Sequence, residues 1–154
     1  MWCYRLIKKI LFSIDGSQAA DYALDFGLDL ARKYSAEVMI VSVFDSPRSS
    51  LIVKGMLYAP TSTENYLKKL RDFHEKILLE ALKKTKKNSP KLKVSIKLLE
   101  GRPADRIVET AKERAFDLIV IGSRGLGGIK EFVLGSVSDR VADEAPCPVL
   151  IVKE

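Results

Sequence analysis

Residues 118–136 read LIVIGSRGLGGIKEFVLGS, an uninterrupted apolar run that passes directly into a glycine-rich segment. A run such as residues 118–121 is typical of a central strand that is covered on both faces. Four glycines among residues 122–128 exclude an ordinary helix there. Because glycine permits positive φ and close approach of the backbone, successive N–H groups of such a loop can converge on a phosphate. The stretch therefore predicts a buried strand followed by an anion-binding loop.

A helix is predicted directly after this loop, at about residues 137–144. Gly135 and Ser136 open it, where unpaired N–H groups and the positive end of the helix dipole favour an anion. The hydroxyls of Ser136 and Ser138 are further candidate donors. The phosphate-binding sequence GxxxxGK[ST] does not occur, and Lys130 stands where the dinucleotide-binding fingerprint needs glycine. The loop therefore fits neither of those two signatures.

Strands and helices alternate along the chain. Apolar runs predict strands at residues 10–14, 37–44, 93–99, 118–121 and 149–152. Three-and-four spacing predicts helices after Asp15-Gly16-Ser17, at 64–87, from Pro103, and at 137–144. This order implies right-handed crossovers and a parallel sheet with helices on both faces. Ligands of such sheets bind beyond the carboxyl ends of the strands, so the residues after strands one, two and four are the first candidates.

Three further features follow from the same patterns. Residues 93–99 alternate between apolar and polar side chains, which predicts a strand with one solvated face at a sheet edge. Residues 45–63 follow no period and are expected to form a mobile lid or a partner-binding loop. His74, the only histidine, lies on the apolar stripe of the helix at 64–87 without a second metal ligand nearby in sequence. We expect it to be a core or boundary residue rather than a catalytic one.

The composition is that of one ordinary globular domain. The chain has 154 residues, of which 47% are hydrophobic and 30% charged, so a single domain over residues 1–154 is expected. No apolar run near the start is long enough for a signal peptide or a membrane span, which predicts a cytoplasmic protein without a membrane partner.

Cys3 and Cys147 are expected to be structural in a reducing compartment. Much of the net charge of +6 lies in residues 83–93, where a solvated helix end is favoured over a nucleic-acid patch.

One spacing is far more specific than the glycines alone. Gly122, Gly125, Gly135 and Ser136 fit the pattern G-x2-G-x9-G-[ST] without a gap. By this pattern the chain, from about Lys8 to its end, resembles the universal stress protein (UspA-like) family and, within it, the ATP-binding subgroup. Other segments agree with the resemblance: Asp15 after strand one, and residues 42–45, 101–104 and 146–150.

The resemblance implies a fold and a ligand. The fold is an open five-stranded parallel sheet with strand order 3-2-1-4-5, Rossmann-like and similar to the adenine nucleotide alpha hydrolases. The implied ligand is ATP, or else ADP or AMP, with Mg²⁺ or Mn²⁺ as candidate ions that Asp15 would hold against the phosphates. Ser13 stands where some ATP-binding relatives have proline, a change that removes no phosphate donor.

The same resemblance assigns the binding residues. Asp15, after Ser13 and Ile14 at the end of strand one, would lie near the ribose and phosphates, and Val43 would line the adenine pocket. Ile121 and Gly122 would border the base and the sugar. The residues expected around the phosphates are Arg124, Gly125, Gly135, Ser136, Val137 and Ser138. Two of these residues also have plainer interpretations: Asp15 can instead cap helix one, or do both, and Arg124 can be an ordinary surface arginine.

No catalytic residues are predicted. A nucleophile with a base and an orienting partner cannot be assembled, because the only histidine is on the wrong helix. The expected function is a nucleotide-dependent switch or regulator in the stress response, in which bound phosphate orders residues 122–136 and 45–63 and so changes the surface offered to a regulatory protein. The alternatives are a slow nucleotide-hydrolysing enzyme and a dimeric interaction module with an empty loop.

The sequence of the last strand predicts that the protein forms a homodimer. Val149–Val152 is apolar on both faces, yet a final strand added beside strand four should lie at an open sheet edge. Exposed edges of that kind pair with another chain. We therefore expect a homodimer in which this strand meets its symmetry mate, an arrangement that also resembles the usual dimer of the family.

Overall fold

The structure is a computed structural model that describes residues 7–45, 60–126 and 134–153, with residues 60–63 described by their backbone alone. Strands and helices alternate within these ranges. In chain order the elements are β1 (Lys9–Ser13), α1 (Gln18–Tyr34), β2 (Glu37–Phe44), α2 (Pro60–Asn88), β3 (Val94–Glu100), α3 (Pro103–Glu113), β4 (Leu118–Gly122), α4 (Ser136–Glu144) and β5 (Val149–Val152). Cys3, Lys130 and residues 46–59 of the predicted loop lie outside the described residues.

The five strands form one parallel sheet in the order β3-β2-β1-β4-β5, which confirms the predicted order 3-2-1-4-5. Ser13 of the central strand pairs with Val41 of β2 on one side and with Ile121 of β4 on the other. The chain first builds the sheet to one side of β1 and then crosses to the other side. The strand order therefore reverses between β1 and β4, and a ligand crevice is expected at their carboxyl ends.

Alternate residues of the strands supply two separate cores. Ile10 and Phe12 belong to a core with α1 and α2 on one face of the sheet, and Leu11 and Ile119 belong to a core with α3 and α4 on the other. All four side chains are buried, and each contributes about 1.5–3 kcal/mol through burial. Helices thus cover both faces, as predicted.

The strands also occupy the predicted environments. Every residue of β4 is buried, which confirms a central strand covered on both faces. β3 lies at one edge of the sheet with most of its residues half-buried or exposed. β5 lies at the other edge, and three of its four residues are only half-buried. Cys147, just before β5, is half-buried and packs against the core beneath α3 and α4, in line with a structural role.

The first turn of α2 differs from the sequence prediction. The helix begins at Pro60 instead of residue 64, so residues 60–63 are helical and the predicted loop ends too late. Proline suits the first position of a helix because its φ is already helical and its missing N–H would have no partner there. Across the described ranges, the helices are too short or too polar for a bilayer crossing.

Candidate functional site

A cleft of about 670 Å³ opens where the strand order reverses, at the carboxyl ends of β1, β2 and β4. Its volume lies in the range of small-molecule sites, roughly 300–1,000 Å³. Every site residue expected from the sequence lines it: Ser13, Ile14, Asp15, Val43, Ile121, Gly122, Arg124, Gly125, Gly135, Ser136, Val137 and Ser138. Residues from four separate segments of the chain are thus brought to one place.

Five further residues line the cleft that the sequence did not indicate: Ala20, Pro103, Leu126, Leu134 and Asp139. Pro103 could have been found, because it follows β3 and the rule about carboxyl ends applies to that strand as well. Asp139 lies in the first turn of α4 and adds a carboxylate near the expected phosphate position. No pattern in the sequence distinguishes Ala20, Leu126 or Leu134 from ordinary helix or loop residues.

Asp15 joins the turn after β1 to the glycine-rich loop. Its Oδ1 accepts a hydrogen bond from the Ser17 N–H at 3.0 Å, and its Oδ2 accepts one from the Leu126 N–H at 3.0 Å. The N-cap of α1 is Ser17, whose Oγ accepts from the Ala20 N–H at 3.2 Å. The cap therefore falls to Ser17, and the Asp15 carboxylate holds the loop beside the end of β1.

Gly122 and Gly125 are needed because neighbouring atoms lie close to their backbone, not because their φ is positive. Among the described glycines, positive φ occurs at Gly16 and Gly101, not at Gly122, Gly125 or Gly135. A Cβ on Gly122 would lie 2.7 Å from the carbonyl carbon of Ala19, and a Cβ on Gly125 would lie 2.6 Å from Oδ2 of Asp15. Glycine is needed at these two positions because the start of α1 and the Asp15 carboxylate occupy the space of a side chain. The part of the prediction that relied on positive φ is therefore wrong for these three glycines.

The N-terminus of α4 faces the cleft without a side-chain cap from the residues that the structure describes. Its N-cap is Gly135, which has no side chain to offer the first-turn N–H groups of Ser136, Val137 and Ser138. These groups and the helix dipole make the position favourable for an anion.

The Ser138 hydroxyl bonds to the loop backbone and not, as expected, toward a phosphate. Ser138 is buried, and its Oγ lies 3.0 Å from the Ser123 carbonyl oxygen and 2.9 Å from the Gly135 carbonyl oxygen. The Gly135 N–H also donates to the Ser123 carbonyl at 2.7 Å. The hydroxyl hydrogen is therefore directed at the loop backbone, where it holds the two ends of the glycine-rich loop together. The Ser136 side chain, by contrast, is exposed.

Charges of both signs surround the cleft. Arg124 is exposed at the rim, with its guanidinium able to bind phosphate oxygens in pairs. Asp15 and Asp139 supply two carboxylates to the same space. Over the described ranges, no three side chains of His, Cys, Asp and Glu lie together in a way that could hold a metal ion.

His74 is a core residue, as expected, at 7% exposure. Its Nδ1 lies 2.7 Å from Oγ of Ser42, which is fully buried and also lies 2.7 Å from the Ile14 carbonyl oxygen. Burial lowers the pKa of His74 from its ordinary value, and the negative charge of Asp15 offsets part of that change. Ser42 is inaccessible to a substrate, so this Ser–His pair cannot supply a nucleophile.

The fold and the cleft together define an α/β protein with a parallel sheet and a cleft of small-molecule size at the reversal of its strand order. The chain belongs to the universal stress protein family, whose family model matches residues 6–153. The expectation drawn from G-x2-G-x9-G-[ST] is thereby confirmed at the level of the family.

Two curated relatives and two solved structures illustrate the similarity. The chain is 36% identical to the universal stress protein YxiE of Bacillus subtilis, over 96% of this chain and all of that protein. It is 38% identical to the universal stress protein MJ0531 of Methanocaldococcus jannaschii, over 97% of this chain and 84% of that protein. The structure of the hypothetical protein MJ0577 matches with a TM-score of 0.81 and 28% identity, over 97% of both chains. A universal stress protein solved in complex with cAMP matches with a TM-score of 0.65 and 26% identity, over 96% of this chain and 98% of that one.

Proposed function

We propose that this chain binds an adenine nucleotide in the cleft, with ATP as the first candidate and ADP or AMP as the others. The observation that carries the proposal is the uncapped start of α4, which lies in the same cleft as Asp15 and Arg124. A polyanion would bind the first-turn N–H groups there more favourably than water does. The related structure with bound cAMP supports an adenine ligand for this kind of site.

Each part of the nucleotide has a candidate environment. The apolar side chains of Ile14, Val43 and Ile121 would contact the base, while Asp15 would lie near the ribose and the phosphates. Gly122 and Gly125 would let the ligand approach the backbone. The phosphates would meet Arg124 and the start of α4, with Mg²⁺ or Mn²⁺ between them and Asp15.

Binding would act as a switch rather than as the first step of rapid catalysis. Asp15 accepts from the Leu126 N–H at 3.0 Å, so a ligand that competes for this carboxylate changes the anchoring of the glycine-rich loop. The surface of that loop would then differ between the bound and the empty protein, and a regulatory protein could distinguish the two. The proposed setting is the cytoplasm.

The proposed assembly is a homodimer through Val149–Val152. β5 pairs with β4 on one side and forms the sheet edge on the other, and an apolar edge strand favours pairing with a second copy. Sedimentation velocity at micromolar concentration should give the mass of a dimer. A monomer under those conditions would contradict this part of the proposal.

The nucleotide proposal is tested on purified protein. Heat-denatured protein should release a compound with adenine absorbance, which mass spectrometry then identifies. Calorimetry with ATP, ADP and AMP, with and without Mg²⁺, should show binding that Asp15→Ala weakens. Absence of binding to every adenosine phosphate would overturn the proposal and favour an interaction module with an empty loop. Rapid turnover that Asp15→Ala abolishes would instead favour a nucleotide-hydrolysing enzyme.

A further inference from the structure

The buried Ser42 hydroxyl connects three elements next to the cleft. It belongs to β2, it lies 2.7 Å from the carbonyl oxygen of Ile14 at the end of β1, and it lies 2.7 Å from Nδ1 of His74 on α2. Ser42 is 0% exposed. A hydroxyl buried this completely has a fixed pair of partners, because water does not compete for them.

The chemistry of the three groups fixes the direction of the hydrogen bonds. A carbonyl oxygen only accepts, and a hydroxyl has a single hydrogen, so the Ser42 hydroxyl donates to Ile14. The Ser42 oxygen must then accept from Nδ1–H of His74. The imidazole of His74 also lies near the aromatic rings of Phe44 and Phe73, with centroid distances of 6.0 Å and 5.4 Å. Burial lowers the pKa of His74, which favours the neutral ring, and the hydrogen bond to Ser42 then places its single N–H hydrogen on Nδ1.

The Ser42 hydroxyl stands where the β-sheet ladder ends. The Ile14 N–H still donates to the Val41 carbonyl at 3.0 Å, in the manner of a parallel ladder. In a regular ladder the Ile14 carbonyl would next accept from the Val43 N–H. Here it accepts from the Ser42 side chain instead, and β1 stops at Ser13. The carbonyl is held toward the face of the sheet that α2 covers, and the chain leaves the sheet at Asp15.

A second contact from α2 supports the same turn. Gly16 has φ +84°, and a Cβ there would lie 2.7 Å from Cδ1 of Ile77. Ile77 is one turn beyond His74 on the same face of α2. The helix therefore contacts the turn after β1 directly at Gly16, and through Ser42 at Ile14. Asp15 lies between these two points, and its carboxylate reaches the Leu126 N–H of the glycine-rich loop.

We propose that His74 and Ser42 are positioning residues for the nucleotide site: the hydrogen bonds from His74 to Ser42 and from Ser42 to Ile14 hold the turn after β1 so that Asp15 faces the cleft. Neither side chain touches the ligand. The part of this inference that concerns affinity rests on the proposed nucleotide binding. The part that concerns the shape of the turn does not.

The test compares four single variants and one double variant with the unaltered protein. His74→Leu and Ser42→Ala each remove one member of the connection. His74→Asn keeps an N–H donor at the position of Nδ1 but loses most of the ring. Thr85→Val is the control, because Thr85 is fully buried on the same helix, three turns from His74 and away from the cleft.

Nucleotide affinity is measured by calorimetry with ATP and Mg²⁺. His74→Leu and Ser42→Ala should each weaken binding about tenfold, the effect of one lost hydrogen bond. His74→Asn should bind nearly as well as the unaltered protein although it loses stability, and Thr85→Val should bind unchanged. In the double variant, His74→Leu should weaken binding no further once Ser42→Ala is present, because His74 acts through Ser42. Additive losses, or equal losses in the Leu and Asn variants, would overturn the proposal.

The second measurement needs no ligand. Amide hydrogen exchange of Ser17 and Leu126, whose N–H groups bind Asp15, is followed by NMR in the nucleotide-free protein. Exchange should accelerate in His74→Leu and Ser42→Ala and stay unchanged in His74→Asn and Thr85→Val. If the unaltered protein binds no nucleotide, the proposed function fails while this measurement still decides the positioning role. Unchanged exchange in Ser42→Ala, the smallest of the changes, would refute that role even if His74→Leu does not fold.

Discussion

The helices α1 and α4 both begin at the cleft, but their first turns are built differently. At α1, Ser17 accepts a hydrogen bond from the Ala20 N–H, and Asp15 accepts one from the Ser17 N–H. At α4, the N-cap is Gly135, and no side chain among the described residues takes the corresponding place. The first helix thus has a side-chain acceptor for one of its first-turn N–H groups, whereas the second has none from the described residues. Under the proposed function, this difference between serine and glycine at the N-cap decides which helix start binds the phosphates.

The largest effect is expected when α4 receives a charged N-cap, because its start then has a side-chain cap as the start of α1 does. Gly135 has φ −73° and ψ 153°, and an added Cβ would meet its nearest atoms at 3.4 Å, so the backbone accepts a side chain there. Gly135→Asp should stabilise the helix by a few tenths of a kcal/mol. It should weaken ATP binding by about 3 kcal/mol, roughly a hundredfold, because the carboxylate takes the N–H groups and repels phosphate.

Gly135→Ser is the matched control for the charge, since it adds a cap that is neutral. Its loss of affinity in calorimetry should be clearly smaller than that of Gly135→Asp. Affinity unchanged in both variants would mean that the start of α4 does not bind the phosphates.

A second change disturbs the contact between the end of β4 and the first turn of α1. In Gly122→Ala the new methyl group would lie 2.7–2.9 Å from backbone atoms of Ala19 and Ala20, which cannot yield as a flexible side chain would. The free energy of unfolding should fall by about 2 kcal/mol, as for other overpacked sites. Denaturant unfolding measures the loss. Gly135→Ala, where the added methyl group has room, should lose less than about 1 kcal/mol.

Removal of the cap of α1 should lower the stability and leave the ATP affinity nearly unchanged, which is the opposite of the effect expected at Gly135. Ser17→Ala leaves the Ala20 N–H without its acceptor, and the free energy of unfolding should fall by about 1 kcal/mol. ATP affinity should change little, because the N–H groups of α1 are not those proposed to bind phosphate. Thermal unfolding and calorimetry on the same preparation check both halves. A loss of affinity larger than that of Gly135→Ser would contradict the division between the two helices.

The smallest expected effect is a loss of folding stability at acidic pH. The folded state holds the pKa of His74 below its ordinary value, so the unfolded chain takes up this proton first as the pH falls. The stability that depends on neutral His74 is complete above about pH 6.5 and declines below it. Between pH 6.5 and 5.5 the loss should be less than about 1 kcal/mol. The same decline in His74→Asn, measured by denaturant unfolding across this range, would refute the assignment to His74.

The order of strands and helices could be predicted because each element is encoded locally, whereas the strand order 3-2-1-4-5 was implied by the family resemblance. The uninterrupted run at β4 and the alternation at β3 indicate a buried strand and an edge strand, and both were found. The pattern G-x2-G-x9-G-[ST], through the family resemblance that it carries, predicted one site for Gly122, Gly125 and Gly135, and all three line the cleft. The start of α2 was misplaced because residues 60–63, Pro-Thr-Ser-Thr, favour a turn or a cap as much as a first helical turn.

The contacts within the site could not be predicted in the same way. The bond between Asp15 and Leu126 joins residues 111 positions apart, and the pair of Ser42 and His74 joins two elements through buried side chains. Neither leaves a periodic trace in the sequence. The hydroxyl of Ser138 likewise turned out to face the loop backbone, a direction that depends on where Ser123 lies after folding. Local patterns predict elements, whereas side-chain partners depend on tertiary packing.

The close approach of Gly125 to Asp15 links two distant positions in the choice of amino acid. The 2.6 Å between Oδ2 of Asp15 and a Cβ at position 125 leaves no room for any other residue while the carboxylate stays in place. Gly125→Ala should therefore be harmful alone and better tolerated beside a shorter residue at position 15, such as serine. Within this fold the amino acids at positions 15 and 125 are therefore coupled, because shortening the side chain at position 15 removes the clash that a Cβ at position 125 would meet.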